Sequence, residues 1–139
     1  MSALYSLPLL RLAAATADTP PLDDATVAAE RRSPTCGSRM RVTLDLDGAG
    51  RVRAYGHRVN ACAVGQASAT LLARVAVGRT AAELAGLRDA VRAMLTEGGP
   101  PPPGFEPLQV AGTYPARHAA ILLPFDAALA ALPAEAPVA

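Results

Sequence analysis

Apolar and polar residues alternate along two neighbouring stretches of the chain, and this pattern predicts a β-hairpin. Residues 40–46 place Met, Val and two Leu between Arg, Thr and Asp, which is the pattern of a half-buried strand. Residues 47–50 (Asp-Gly-Ala-Gly) supply a hairpin turn, and residues 51–57 are the predicted returning strand. A weaker alternation over residues 25–32 predicts a further strand at the edge of the same sheet.

The sequence of the returning strand does not show which of its two faces is buried. Val52 and Ala54 would point to the side opposite Tyr55 and His57 if the strand alternated without interruption. A β-bulge inserts one extra residue and so shifts the alternation. We therefore expect a bulge at Gly56, which would reconcile the two halves of the strand.

After Cys62 the apolar period becomes that of helices. The first predicted helix ends at Gly78, and one of its faces carries Val64, Ala67, Leu71 and Val75. Thr80 and Glu83 form a capping box for a second helix, which stops at residues 98–99 (Gly-Gly). The buried stripe of that helix consists of Leu84, Leu87, Val91 and Met94.

The C-terminal part of the chain predicts a linker, one helix and a tail. Residues 100–103 are consecutive prolines, which form a stiff extended linker. A helix is expected to start at Pro115, a favoured first-turn proline, and to continue towards Leu132 with a kink at Pro124. We expect residues 133–139 to fray as a flexible tail.

The order of these elements predicts the fold class. Residues 5–15 have the spacing of a short amphipathic helix with Ser6 as its cap, and a short turn is expected at residues 107–110. Apart from the first helix, strands come before helices, which is typical of an α+β domain with a small antiparallel sheet packed by helices. A length of 139 residues suits one such domain, spanning 1–139.

The balance of charges argues against polyanionic partners. The chain has 13 basic residues, all of them Arg, and 12 acidic residues, for a net charge of +1. This balance gives no reason to expect nucleic acid or a membrane surface as partner. The apolar N-terminal stretch is not preceded by a basic residue, so we expect no secretory signal peptide. We therefore expect a cytoplasmic protein with reduced thiols.

The two cysteines occupy positions that suit chemistry. Cys36 lies in a loop of small residues just before the clear strand, where the backbone can approach a bound atom closely. Cys62 lies at the start of a helix, where unpaired N–H groups favour a thiolate. If the hairpin closes at Gly48, both cysteines emerge at one end of the sheet. The alternative interpretation is that each is a small buried apolar residue.

Five segments resemble the IscU/SufU family of iron–sulfur scaffolds, to which the N-terminal domain of NifU belongs. Their order and spacing match from about residue 4 to residue 132. The segments are Pro34-Thr35-Cys36-Gly37, Ala61-Cys62-Ala63-Val64, Gly78-Arg79-Thr80, Tyr114-Pro115-Ala116-Arg117 and Leu123-Pro124-Phe125.

The resemblance implies a fold, a cargo and partners. It implies a three-stranded sheet packed by helices, which agrees with the pattern of the residues. It also implies a scaffold or carrier more than an enzyme, with a sulfurtransferase as the enzymatic alternative. The implied cargo is iron or a labile [2Fe–2S] cluster, with zinc as the alternative metal. The implied partners are a cysteine desulfurase and apo iron–sulfur proteins.

The chain departs from the family at two metal-site positions. Ser38 stands where the family usually has aspartate, and Ala120 stands where it has a third cysteine. Cys36 and Cys62 remain as metal ligands and as candidates for a persulfide, with Ser38 as a weak neutral donor. A structural zinc or a [2Fe–2S] cluster normally needs four protein ligands, so the familiar set is incomplete.

Three replacements for the missing ligand are open. His118 lies two residues before Ala120, His57 lies near the end of the returning strand, and a homodimer would supply two cysteines from each subunit. The resemblance also makes Arg117 a contact for the desulfurase or the metal. Three further residues support the site: Arg117 and Arg39 as charged neighbours of the cysteines, and Gly37 in the first cysteine loop.

Four functions follow from these residues. The first is an iron–sulfur assembly scaffold that binds iron or a cluster, or accepts sulfur, through Cys36 and Cys62. The second is a SufU-like persulfide acceptor in which one of these thiols carries the sulfur. Because Ser38 and Ala120 weaken the family's zinc site, this transfer would have to proceed without a metal. The third is a non-catalytic adaptor, and the last is a Cys–His hydrolase.

Overall fold

The computed structural model describes residues 6–34 and 37–133 of the chain, which form helices packed on one three-stranded sheet. The α+β class and the three-stranded antiparallel sheet are confirmed. The elements are, in chain order, α1 (Leu7–Ala14), a 3-10 turn (Ala15–Asp18), β1 (Val27–Arg32), β2 (Arg39–Leu46), β3 (Val52–Asn60), α2 (Ala63–Ala76), α3 (Ala81–Glu97), 3-10 segments at Glu106–Thr113 and Pro115–Arg117, and α4 (His118–Ala131).

The sheet has the order β1-β2-β3, with both pairs antiparallel. Met40, Val42 and Leu44 of β2 are buried on one face of the sheet, which we call the core face. The helix α4 packs against β1 and β2, and α2 packs against β3 and α4. The alternation in residues 40–46 thus predicted correctly which side of the strand is buried.

The bulge lies at Arg53 and not at Gly56. Leu46 pairs with Val52, whereas Asp45 pairs with Ala54, so Arg53 is the extra residue of β3. Because of this insertion, Val52 lies on the same face as Tyr55 and is buried with it. The prediction of a bulge was right, but its predicted position was wrong.

Gly56 serves a different purpose, which is to let another part of the chain cross the sheet. The His57 N–H donates to the Thr19 carbonyl at the outer edge of β3 (3.1 Å), and the Leu22 N–H donates to Thr43 Oγ1 of β2 (3.0 Å). Between these bonds, residues 20–22 pass over Gly56 on the face opposite the core. A Cβ at Gly56 would meet the Pro20 carbonyl oxygen and would lie 2.7 Å from the Leu22 nitrogen.

The helix ends agree with the sequence signals except at α2 and at the last helix. The helix α2 ends at Ala76, two residues before the predicted Gly78, because the Gly78 N–H donates to the Val52 carbonyl of β3 (2.7 Å) and not to α2. Thr80 and Glu83 form the predicted capping box of α3. The last helix begins at His118, because the predicted start at Pro115 is a separate 3-10 turn. Tyr5, at the start of the helix predicted over residues 5–15, and residues 134–139 of the predicted tail lie outside the described residues. No helix in the described ranges combines the length and hydropathy needed to cross a bilayer.

His57 belongs to a buried polar network of the fold. Its Nε2 donates to the Thr16 carbonyl (3.0 Å), so its Nδ1 is the nitrogen that accepts from the Tyr55 hydroxyl (3.3 Å). The side chain is 3% exposed, and burial lowers the pKa of His57 below its ordinary value. The two bonds and the burial hold His57 as a neutral structural residue and not as a ligand.

A methyl group at Gly56 tests the crossing segment. Gly56→Ala should lower the free energy of unfolding by about 3 kcal/mol, because the added Cβ strikes backbone atoms of residues 20–22 that cannot rotate away. Gly48→Ala is the matched control, since a Cβ there meets no atom within 4 Å. Urea unfolding of both variants gives the comparison, and equal stability would contradict the crossing.

The pH dependence of stability tests the state of His57. The pKa of His57 is lower in the folded chain than in the unfolded chain, so the unfolded state takes up the proton first as the pH falls. Stability is therefore full above about pH 6.5 and falls below it, by at most about 1.4 kcal/mol per pH unit, until folded His57 is protonated too.

Substitution of each histidine in turn shows which one causes this loss of stability at low pH. His57→Gln should flatten the dependence between pH 6.5 and 5 relative to the native chain, whereas the control His118→Gln should retain it. Urea unfolding across this pH range measures both. A His57→Gln profile parallel to that of the native chain would show that His57 is not the group responsible.

Candidate functional site

Cys62 lies at the start of α2, as the sequence predicted. Its backbone is extended (φ −65°, ψ 167°), and its carbonyl accepts the first helical bond from the Gln66 N–H (2.9 Å). The side chain makes no capping hydrogen bond, and the thiol is free and partly exposed. The first-turn N–H groups of α2 therefore have no bond from the side chain of their capping residue, and these groups favour a negative charge nearby.

The register of the sheet places Cys62 beside the loop between β1 and β2. Arg39, the first residue of β2, pairs with Asn60, the last residue of β3, and Cys62 follows two residues later. The loop therefore leaves the sheet at the end where Cys62 begins α2. Cys36 belongs to this loop by sequence but lies outside the described residues, so its place in the site stays a prediction.

The described part of the loop is held closed by backbone hydrogen bonds. The Ser33 N–H donates to the Ser38 carbonyl (2.8 Å), and the Gly37 N–H donates to the Ser33 carbonyl (3.2 Å). Gly37 has a φ of 72°, a left-handed conformation that favours glycine. Ser38 is buried just before β2, and Arg39, the first residue of β2, lies on the outer face of the sheet, opposite the core face.

Ala120 packs against the first turn of α2. It is 1% exposed, and a Cβ on Gly65 would lie 3.3 Å from the Ala120 Cβ and 3.2 Å from its carbonyl oxygen. One residue later in α4, the Ile121 carbonyl accepts a hydrogen bond from Ser68 Oγ of α2 (2.6 Å). The position that matches the family's third cysteine thus contacts the helix that Cys62 caps, but it offers only a methyl group.

His118 is directed to a different neighbour. Its Nε2 donates to the Ala111 carbonyl in the segment Glu106–Thr113 (2.9 Å). Two residues correspond to roughly 200° around a helix, so His118 and Ala120 lie on different sides of α4. His118 would have to bind a metal through Nδ1, and its role as a ligand stays a prediction.

The two predicted charged neighbours lie in different places. Arg117 precedes Ala120 by three residues, which puts both on one side of this turn, and its side chain is partly exposed. Arg39 is exposed on the face of the sheet opposite the core face. The role of each arginine beside the cysteines stays a prediction.

The described donor atoms do not make a complete metal site. Across residues 6–34 and 37–133, no three His, Cys, Asp or Glu side chains are grouped so that they could hold a metal ion. The described site positions offer the Cys62 thiol, the Ser38 hydroxyl and the Ala120 methyl group. These groups do not fit a four-ligand zinc or [2Fe–2S] site, for which strong donors are needed.

Sequence reasoning missed two features at this end of the molecule. Gly65 is the residue that lets α4 approach α2, and its signal was a glycine in the first turn of a helix that begins with small residues. Arg41 and Arg58 lie with Arg39 on the outer face of the sheet, and their signal was the polar side of the alternating pattern.

Comparison with known proteins places this fold in a family. Neither the family models nor the curated proteins give a match. A solved structure of a nitrogen-fixing NifU-like protein (N-terminal) from Brucella abortus is 37% identical, covers 93% of this chain and 92% of its own, and has a TM-score of 0.82.

Two more distant structures share the fold. A putative iron–sulfur cluster assembly scaffold protein for the SUF system from Fervidobacterium islandicum is 19% identical over 94% of this chain and 97% of its own, with a TM-score of 0.79. A hypothetical protein is also 19% identical, over 89% of this chain and 96% of its own, with a TM-score of 0.70. The identity and coverage of the Brucella protein show that this chain belongs to the NifU N-terminal family, the IscU/SufU type.

Proposed function

We propose that this chain acts in iron–sulfur cluster assembly as a scaffold-family carrier that receives sulfur from a cysteine desulfurase. The observation that carries the proposal is the partly exposed Cys62 thiol at the start of α2, next to the loop to which Cys36 belongs. Membership of the NifU N-terminal family supports it, and the SUF scaffold has the same fold. We take the cytoplasm as its compartment.

Sulfur transfer needs only one nucleophile on this chain. The Cys62 thiolate attacks the terminal sulfur of a persulfide on the desulfurase, a new S–S bond forms, and the old S–S bond breaks. The desulfurase cysteine leaves as a thiolate, so charge and electrons balance without an added oxidant. The first-turn N–H groups of α2 favour both the attacking thiolate and the anionic persulfide that results.

Ala120 is the reason why we propose sulfur transfer, and not cluster binding by a single chain, as the main function. Its methyl group contacts the first turn of α2, at the position where the family has its third cysteine. Iron, zinc or a [2Fe–2S] cluster held as cargo would therefore need donors beyond Cys36 and Cys62. Binding of this kind is labile, which suits a protein that must pass its cargo to apo iron–sulfur proteins.

A cluster shared by two copies of the chain is the second candidate. Each chain has two cysteines, so a homodimer would supply the four thiolates that a [2Fe–2S] cluster needs. Anaerobic reconstitution with iron and sulfide followed by sizing should place the iron in a dimer. Iron eluting with the monomer would contradict a shared cluster.

Substitution of each cysteine tests the acceptor. After anaerobic incubation with a cysteine desulfurase and free cysteine, intact-mass analysis should show the chain heavier by one sulfur atom. Cys62→Ser should abolish this species, because it removes the nucleophile, and Cys36→Ser should retain at least part of it. If Cys62→Ser gains sulfur as the native chain does, Cys62 is not the acceptor.

The same measurement separates a carrier from an adaptor. A chain that binds the desulfurase but gains neither sulfur nor metal is an adaptor, and this result would contradict the proposal. Wild-type binding, sulfur uptake and metal uptake in both cysteine variants would contradict any role of the cysteines.

Restoring a thiol at position 120 tests the missing donor. Ala120→Cys should tighten zinc or iron binding by about tenfold or more, since a further thiolate need contribute only about 1.4 kcal/mol for that change. Ala119→Cys is the matched control, because residue 119 is exposed and lies one position earlier in α4. Metal competition with a chelator gives the affinities, and equal affinity in both variants would contradict the account of Ala120.

A further inference from the structure

Arginines gather on the outer face of the sheet, opposite the core. The pairing register sets Glu30, Arg41 and Arg58 side by side in one row across the three strands, and Arg32, Arg39 and Asn60 in the next row. All six residues are exposed. We call the four arginines of these two rows the arginine grid: Arg32, Arg39, Arg41 and Arg58.

The arginine grid borders a shallow hollow. Adjacent strands lie about 4.8 Å apart, and alternate residues of one strand about 7 Å apart, so the bases of these side chains lie within one small patch. The hollow has a volume of about 280 Å³, and three of the four arginines line it. Its lining residues are Glu30, Arg39, Met40, Arg41, Arg58 and Asn60.

The charge of this patch is not balanced within the described chain. The ion pairs of residues 6–34 and 37–133 engage Arg51, Arg53 and Arg88, and none of them involves a member of the grid. Glu30 is the one carboxylate in the two rows. The whole chain has a net charge of +1, so the excess of three charges here is a local concentration.

The grid lies where a partner that reaches Cys62 would contact the sheet. Its second row ends at Asn60, two residues before Cys62, which a chain can span in at most about 7 Å. The next row inward contains Thr43 and Gly56 and is covered by residues 20–22. The crossing segment therefore leaves the part of the outer face next to the thiol exposed.

We propose that the arginine grid is a docking surface for an acidic segment of the protein that delivers sulfur to Cys62; this rests on the function proposed above. Guanidinium groups bind carboxylates in a bidentate manner, and several close arginines fit a run of Asp and Glu side chains. A nucleic acid fits less well, because the patch is only two rows deep and includes Glu30. Charge attraction at this place would raise the association rate and orient the partner over the thiol.

Charge reversal in the grid tests this surface. Arg41→Glu/Arg58→Glu should weaken binding of the full chain to a cysteine desulfurase by about tenfold at low salt, with a smaller difference at high salt. The control Arg74→Glu/Arg92→Glu changes the net charge equally at exposed positions of α2 and α3 and should bind like the native chain. Titration calorimetry at two salt concentrations measures the affinities.

A variant expected to strengthen binding keeps the test valid if Arg41→Glu/Arg58→Glu fails to fold. Glu30→Gln removes the one carboxylate of the two rows and should tighten desulfurase binding severalfold. A synthetic poly-glutamate peptide should bind the native chain and lose affinity with Arg41→Glu. Unchanged desulfurase affinity in both Arg41→Glu/Arg58→Glu and Glu30→Gln would overturn the docking proposal, as would grid-dependent binding of duplex DNA without desulfurase binding.

A small persulfide donor separates this inference from the proposed function. With cysteine persulfide in place of the desulfurase, Cys62 should gain sulfur equally in the native chain and in Arg41→Glu/Arg58→Glu. Grid-dependent desulfurase binding without sulfur on Cys62 would contradict the function and support the docking surface. Sulfur on Cys62 together with desulfurase binding that does not depend on the arginine grid would support the function and contradict the docking surface.

Discussion

The pairing of β2 with β3 is the constraint on which the rest of the structure depends. A slip of one residue would turn Met40, Val42 and Leu44 to solvent, so burial of one face specifies the register strongly. That register puts Arg39 opposite Asn60 and therefore brings the β1–β2 loop to the end where Cys62 starts α2. Together with the β1–β2 pairing, it aligns the polar residues of three strands into the arginine grid. The core, the thiol and the charged surface thus follow from the strand pairing of one sheet.

The contact between α2 and α4 sets which side chain lies against the helix that Cys62 caps. Gly65 allows α4 to approach, and Ala120 occupies the closest position. The backbone arrangement therefore brings position 120 against the helix that Cys62 caps, while the side chain offers no ligand atom. The proposed transfer of sulfur through a single thiol is compatible with this arrangement, because that reaction needs a nucleophile and not a closed ligand set.

Local patterns predicted most of the fold, and non-local contacts account for the differences. The alternation in residues 40–46 and the Thr80–Glu83 capping box are short-range signals, and both are confirmed. Gly56 was misread because the segment that crosses it lies over 30 positions away in the chain. The placement of Cys62 was predictable from a change of period, whereas the arginine grid requires the register of three strands. Cys36 and its part in the site stay predictions.

The central proposal is that this chain carries sulfur on cysteine and that one copy lacks the donors to hold a metal cargo tightly. The most direct measurement is the metal and sulfur content of anaerobically purified protein, determined together with its mass in solution. The account predicts sulfane sulfur on cysteine in the monomer, with metal and acid-labile sulfide confined to dimers. A monomer with one tightly bound metal or cluster per chain and no sulfane sulfur would contradict it.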